Sequence, residues 1–382
     1  MLVKPVKIGN RPIGPGNPCF AISEVGINYE KDMKLSKRMI DMSARAGFDS
    51  VKFQVFSAKG MYTKNAGSYE LEGKKIDIYR EMDRVSMPFE WLSELKSYSE
   101  KKGLVFFASA SCRDSADALD EIGVEVHKLT SYEITNVPLL RHVAKKGKPV
   151  ILSTGGAFME EVREAVETIR KAGNEQIILM QCVAKYPAPL AATNLLAMKA
   201  MEEEFSVPVG FSDNGSGFMN EDIERFGERA WILAPLGAVS MGACILEKHT
   251  TLDRTLPGND QRYSIEEKEQ AEMINGIRQI EKRILKGEKV EWPDSLLLGS
   301  GIKKPHESEK YVRDFCFKRL FTAKKIGKGQ AFTEGNVKIV RPGKCRQGLA
   351  PKEFDRIVGR ARASKNLEED MPITEKDLDF SH

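Results

Sequence analysis

Eight short apolar runs punctuate the chain between residues 20 and 285. They are Phe20–Ile27, Ser50–Val55, Leu104–Ser109, Val124–Leu129, Pro149–Ser153, Gln176–Val183, Val207–Phe211 and Ala243–Lys248. Each is nearly continuous rather than alternating and rich in β-branched or aromatic residues, the pattern of strands buried on both faces of a parallel sheet. Helical spacing fills gaps between them. Leu35, Met39, Met42 and Ala46 share one face before Gly47, as do Val162, Val166 and Ile169 before Gly173. Met273, Ile277, Ile280 and Ile284 repeat likewise before Gly287. Eight strands, each followed by a connection or helix over about 265 residues, predict an α/β fold of the (β/α)8 TIM-barrel type. An open doubly wound sheet is the runner-up, weakened by the lack of a GxGxxG after the first run.

Outside that pattern, residues 57–87 form a polar excursion after the second strand, long enough for a lid or substrate loop. Residues 215–235 carry Phe218, Phe226 and Trp231, and Asn220-Glu221-Asp222 marks the start of a helix within them. Residues 286–317 have the Lys/Glu/Pro/Ser composition of a linker. The tail, 318–382, shows short β-like runs, glycine turns and 15 Lys plus Arg against 9 Asp plus Glu. The expected organisation is a barrel over 1–285, a linker over 286–317 and a small basic β-rich domain over 318–382.

Composition narrows the class. Of 382 residues, 59 are Lys or Arg and 55 Asp or Glu, a net charge of +4 that excludes a nucleic-acid-coating protein but permits a local anion pocket. No stretch approaches about 20 apolar residues, so no membrane span is expected. The start, Met1-Leu2-Val3-Lys4-Pro5, lacks the apolar core of a secretory signal. Cysteines at 19, 112, 182, 244, 316 and 345 are scattered without a CxxC, which points to a reducing cytoplasm rather than a disulfide framework or structural zinc.

In a barrel, polar residues at the C-terminal ends of strands converge on one mouth. Those residues here are Glu24, Asn28, Lys52, Gln54, Ser109, Lys128, Ser131, Glu133, Ser153, Tyr186, Ser212, Asp213 and His249. Two lysines with several hydroxyls suit an anion, because the ammonium groups neutralise it and the hydroxyls direct hydrogen bonds. Lys52 alone also fits a lysine snorkelling from a strand end. Glu24 and Glu133 can move protons or hold a sugar hydroxyl; structural ion pairs with the lysines account for them equally well. His249 suits a divalent metal or a local hydrogen bond, and Asp213-Asn214-Gly215 also reads as a turn.

Taken in order, the motifs resemble the N-acetylneuraminate (sialic acid) synthase family, the phosphoenolpyruvate-dependent nonulosonate synthases. The matching stretches are Ser23-Glu24-Val25-Gly26-Ile27-Asn28, Val51-Lys52-Phe53-Gln54, Lys128-Leu129-Thr130-Ser131-Tyr132-Glu133 and Pro149 to Gly155. Gln181 to Pro187, Gly210-Phe211-Ser212-Asp213, Glu247 to Arg254 and Pro257-Gly258-Asn259-Asp260 continue the series. The tail is similar to the family's SAF (antifreeze-like) domain through Ala323 to Gly329 and Val340-Arg341-Pro342-Gly343. The resemblance implies condensation of phosphoenolpyruvate with an N-acylated amino sugar, N-acetylmannosamine or a relative, with release of phosphate. It implies that Lys52, Lys128, Ser131 and Ser212 hold phosphoenolpyruvate, and that Gln54, Tyr186 and Asp260 contact the sugar. By the same resemblance Glu24 and Glu133 lie near the reacting carbons. His249 holds a divalent cation, manganese or magnesium, with Asn214 at the position of the second metal histidine. Arg341 is implied to reach the partner's site in a domain-swapped homodimer.

The chain departs from the family at Asn214, at Tyr29 where histidine is common, and at Tyr132 where glycine is usual. Ala110 and Ala184 also replace polar residues. These changes are expected at the mouth. They fit a changed sugar or metal use, or a relative that binds without turnover; a third alternative is an aldol-type synthase acting on a phosphosugar. Survival of both lysines, His249, Asp260 and Arg341 favours an active synthase.

Overall fold

The computed structural model describes residues 3–71, 73–291 and 293–381; Met1, Leu2, Glu72, Trp292 and His382 lie outside the described residues. The chain opens with a hairpin, β1 (Val6–Ile8) and β2 (Arg11–Ile13). Its Val6, Ile8 and Ile13 join the main core, and Arg11 pairs with Asp49 just ahead of the second barrel strand. The eight expected runs then all form strands: β3 (Phe20–Gly26), β4 (Ser50–Val55), β7 (Val105–Ala110), β8 (His127–Leu129), β9 (Val150–Ser153), β10 (Ile177–Cys182), β11 (Val209–Asp213) and β12 (Ile245–His249). Two further strands, β5 (Ser68–Leu71) and β6 (Lys74–Asp77), form a hairpin in the first insertion. The eight pair in parallel and close on themselves, β12 beside β3 and β9 beside β10, so the protein is a (β/α)8 barrel with a C-terminal domain.

Helices follow the spacing of their apolar positions. Met33–Ala46 begins where the Asp32 carboxylate accepts from Lys34 and Leu35 N–H. It ends at Gly47, whose φ of 87° lets its N–H turn back to the Ala44 and Ser43 carbonyls. Met159–Lys171 and Glu267–Leu285 likewise bury Val162, Val166 and Ile169, and Met273 and Ile277.

The segments between and after these elements frame the mouth. The 57–87 excursion buries Met61, Tyr62, Ala66, Ile78 and Val85 in a small cluster with Ile27 and Phe56. Within 215–235 the helix Asn220–Phe226 forms at the acidic triplet, and Phe218 stacks on Trp231 at 5.0 Å with Arg254 over the indole at 4.3 Å. Residues 286–291 are mostly exposed, whereas parts of 294–317 pack on the barrel. Helices span Ser295–Leu298 and Lys310–Cys316, Lys303 donates to Gln181 Oε1 at 2.9 Å, and the buried Glu309 accepts from Ala184 N–H.

The tail forms β13 (Arg319–Thr322), β14 (Val337–Val340), β15 (Arg362–Ala363) and β16 (Leu378–Asp379) around Leu320, Ile326, Phe332, Ile357 and Ile373. It sits on the barrel of its own chain. Arg341 N–H donates to Met61 O at 2.8 Å, Thr63 Oγ1 donates to Asp370 at 2.9 Å, and Lys318 Nζ donates to Gly60 O and Ser111 O.

Candidate active site

Parallel register carries polar side chains to one end of the barrel in rows. Cys182, Ser212 and Glu247 are neighbours across β10, β11 and β12, and His249, Glu24 and Lys52 are neighbours across β12, β3 and β4. Alternation along each strand then decides which residues enter the lumen. On β12, Glu247 and His249 face a cavity of about 230 Å³, while Lys248 between them points away and pairs with Asp213 at 2.7 Å, fully buried.

The cavity gathers Glu24, Lys52, Gln54, Lys128, Ser131, Ser153, Tyr186, Ser212, Asn214, His249, Asp260 and Arg341. Most of the residues singled out in the sequence therefore converge. Lys128 donates to Ser153 Oγ at 2.7 Å, and Lys52 and Lys128 each lie 3.6 Å from the Glu247 carboxylate. Ser212 donates to Glu247 at 2.9 Å, and Ser131 Oγ accepts from Gly155 N–H at 2.9 Å. Lys52 also meets Glu24 at 2.8 Å, whose other oxygen accepts from Gln54 at 3.1 Å.

Glu247 escaped the sequence reading as a site residue, because it sits inside an apolar strand run. The period of two from His249 is the signal that would have found it. Burial pushes its carboxyl up, but Lys128 and Lys52 outweigh that and hold its pKa down to about 2. Burial raises Glu24 instead, with Lys52 opposing and Glu247 reinforcing the rise. Burial lowers Lys128, whereas the two carboxylates outweigh burial at Lys52 and raise it. The lysines thus hold Glu247 low, while burial moves Glu24 the other way.

Glu133 stands apart from the lining. The turn Ser131–Glu133 directs its carboxylate to Asn136 Nδ2 at 3.0 Å and to Lys318 Nζ at 3.7 Å. Three of the five departures also lie off the cavity, against the expectation that they cluster at the mouth. The Tyr29 ring packs on Phe53 in the core with its hydroxyl donating to Val85 O at 2.8 Å; Ala110 is buried on β7, and Ala184 is engaged by Glu309. Asn214 and Tyr132 do line the cavity.

Arg341 enters the mouth of its own chain's barrel, where the resemblance implied a partner's. Its guanidinium lies 4.5 Å from the Tyr132 ring centroid and 5.5 Å from that of Tyr62. Tyr186 and Tyr263 complete an aromatic wall around His249, at 5.6 and 5.7 Å. Burial lowers the His249 pKa, while burial raises that of Asp260, whose carboxylate accepts from the Tyr263 hydroxyl.

A divalent cation fits this corner in a limited way. Asn214 Nδ2 donates to Val183 O at 2.7 Å, which commits the amide nitrogen and leaves the carbonyl oxygen as the side chain's available donor atom. His249 supplies an imidazole nitrogen, its buried Nδ1 having no hydrogen-bond partner. Among the described residues no group of three His, Cys, Asp or Glu side chains gathers as a metal cage. One nitrogen and one amide oxygen suit a hard cation that keeps the rest of its shell as water or substrate oxygen.

Comparison with known proteins places this architecture. A family model described as the NeuB family matches residues 39–289, and one for the SAF domain matches 319–379. The chain belongs to the NeuB family. Among its relatives, the spore coat polysaccharide biosynthesis protein SpsE of Bacillus subtilis is 38% identical over 97% of this chain and 96% of its own. The N,N'-diacetyllegionaminic acid synthase of Campylobacter jejuni is 34% identical over 93% of this chain and 98% of its own. The crystal structure of the Bacillus subtilis SpsE protein superposes with a TM-score of 0.84 at 35% identity, covering 99% of this chain and 100% of that one. Other relatives are named as synthases, among them the pseudaminic acid synthase of Campylobacter jejuni, 29% identical over 98% of this chain, and the human N-acetylneuraminate-9-phosphate synthase, 28% identical over 97%. Among the described residues, no helix of this NeuB-family chain is long and apolar enough to cross a membrane.

Proposed function

We propose that the protein condenses phosphoenolpyruvate with an open-chain N-acylated amino sugar, forming a nonulosonic acid and inorganic phosphate. The observation that carries this reading is the convergence of Lys52, Lys128, Ser131, Ser153 and Ser212 on one cavity floor beside Glu24, His249 and Asp260. Two buried ammonium groups with three hydroxyls match a phosphate and carboxylate on one small molecule. Glu247, ionised between the lysines, holds them apart and in place.

In the proposed reaction, the methylene carbon of phosphoenolpyruvate forms a bond to the sugar aldehyde carbon, and the aldehyde oxygen takes a proton. Glu24, raised by burial, supplies that proton across the floor. Water then adds to the adjacent carbon and returns one proton to Glu24; as the bond from that carbon to the phosphate oxygen breaks, the new hydroxyl's proton leaves with the phosphate and the carbon becomes the keto group. Lys52, Lys128 and the serines stabilise charge on the departing phosphate. Gln54, Tyr186, Asp260 and Arg341 orient the sugar. Asn214 and His249 would hold a manganese or magnesium ion, which when bound polarises the aldehyde oxygen as a Lewis acid.

A homodimer with exchanged C-terminal domains would rebuild the Tyr62–Arg341 bridge between chains, and we include it in the proposal. Sedimentation velocity reads it as a particle of twice the chain mass. The function itself is tested by phosphate release with acylamino-hexoses as acceptors. Turnover restricted to a phosphosugar would replace it with the aldol-type reading, and phosphoenolpyruvate binding without turnover would replace it with a binding protein.

A further inference from the structure

Arg341 is a buried guanidinium, 9% exposed, that forms no ion pair with any described carboxylate, and its Nε has no hydrogen-bond partner. A guanidinium so buried is ordinarily neutralised by Asp or Glu. Here Glu133, the carboxylate whose charge acts on it, is taken up by Lys318 and Asn136. What flanks Arg341 are aromatic rings, Tyr132 at 4.5 Å and Tyr62 at 5.5 Å. Tyr132 is itself fixed, its ring nearly perpendicular to that of Phe317 with centroids 6.2 Å apart. Tyr62 is fixed by its backbone, since Arg341 N–H donates to Met61 O and Thr63 N–H donates to Arg341 O.

Ring faces attract a cation without cancelling its charge, whereas a carboxylate would pin the guanidinium and neutralise it. A clamp of this kind keeps an arginine positioned and still positively charged toward an incoming polar group. We propose that Tyr132, with Tyr62 opposite, is a positioning residue that holds the Arg341 guanidinium over the cavity for the acceptor sugar. The inference rests on the reading of the cavity as a nonulosonate synthase site and adds to it a residue that acts only through Arg341. Phe317 orients the Tyr132 ring, so the clamp joins the barrel, the connecting segment and the C-terminal domain at one point.

The test pairs a functional cycle with a spectroscopic one. Tyr132→Leu is expected to raise the acceptor KM by roughly tenfold, in the range of a desolvated cation–π contact, with the phosphoenolpyruvate KM unchanged. Tyr132→Phe, which keeps the ring face, is expected to restore the acceptor KM to within about twofold. In an Arg341→Ala background, Tyr132→Leu is expected to add nothing further. Effects that multiply, or an unchanged acceptor KM in Tyr132→Leu, would overturn the positioning role. Independently of turnover, the Arg341 side-chain Nε–H resonance, assigned by its loss in Arg341→Lys, is expected to carry a ring-current shift. That shift should survive in Tyr132→Phe and shrink in Tyr132→Leu to what the more distant Tyr62 ring gives alone, and an unchanged shift in Tyr132→Leu would overturn the clamp. A wild-type protein that turns over no acylamino sugar but shows this shift pattern would refute the functional reading and leave the clamp standing.

Discussion

Lys52 Nζ lies 2.8 Å from Glu24 Oε2 with both side chains almost wholly shut off from solvent. Removing two charges from water costs several kcal/mol per ion before their attraction is counted, so such a pair contributes little net stability. Its position on paired strands β3 and β4, lining the cavity, fits a role in chemistry better than one in folding.

Glu24→Gln tests that role. The amide keeps the shape and the contact with Gln54 but cannot give up a proton in the same way. Turnover is expected to fall by roughly 10²–10⁴-fold, the usual worth of a positioned acid or base, with phosphoenolpyruvate affinity within a few-fold of wild type. Near-normal turnover by stopped assay would remove Glu24 from the proton path.

Lys128→Ala removes one ammonium group from the floor and frees Ser153. Charged hydrogen bonds contribute about 1.5–3 kcal/mol, so phosphoenolpyruvate binding by calorimetry is expected to weaken by roughly 10- to 150-fold. Unchanged affinity would end the anion-site assignment. Glu247→Gln should act in the opposite sense, because it removes the negative charge that competes with the anion. Inorganic phosphate is expected to bind several-fold more tightly to it.

Asn214→His addresses the metal corner. Replacing the amide by an imidazole opposite His249 is expected to tighten manganese binding by tenfold or more, read by titration calorimetry or by electron paramagnetic resonance of free manganese. No change in affinity would mean that this side chain never faces the ion.

His127 offers a pH test away from the cavity. It is buried on β8, and burial lowers its pKa from 6.5 to about 4. The unfolded chain binds the proton first, so His127 contributes stability in full above about pH 6.5, lost as pH falls toward about 4. In urea titrations His127→Gln is expected to flatten the stability slope across that window. A slope identical to wild type would show that other groups set it.

Much of the barrel was legible because buried parallel strands announce themselves as continuous apolar runs, and all eight runs paired. Their lengths were less so. Val124 and Val126 belong to the core, yet only His127–Leu129 joins the ladder, since apolar burial alone does not require a strand partner. The β1–β2 hairpin escaped notice because Val6-Lys7-Ile8 and Arg11-Pro12-Ile13 are too short to rise above background. At the site, residue type identified Lys52, Lys128 and His249, whereas orientation did not follow from type. Tyr29 looked like a mouth residue and faces Val85, and Glu133 looked catalytic and faces Lys318. The packing within 294–317 was hidden by its polar composition, because Lys303 and Glu309 are buried through specific partners rather than through hydrophobicity.

The measurement that bears most directly on the central claim is phosphate release from phosphoenolpyruvate with manganese or magnesium. It uses a panel of unphosphorylated acylamino-hexoses with phosphosugars alongside. The account predicts release that depends on one unphosphorylated amino sugar and is lost in Lys128→Ala. Silence across the panel in folded protein, or release driven only by a phosphosugar, would contradict it.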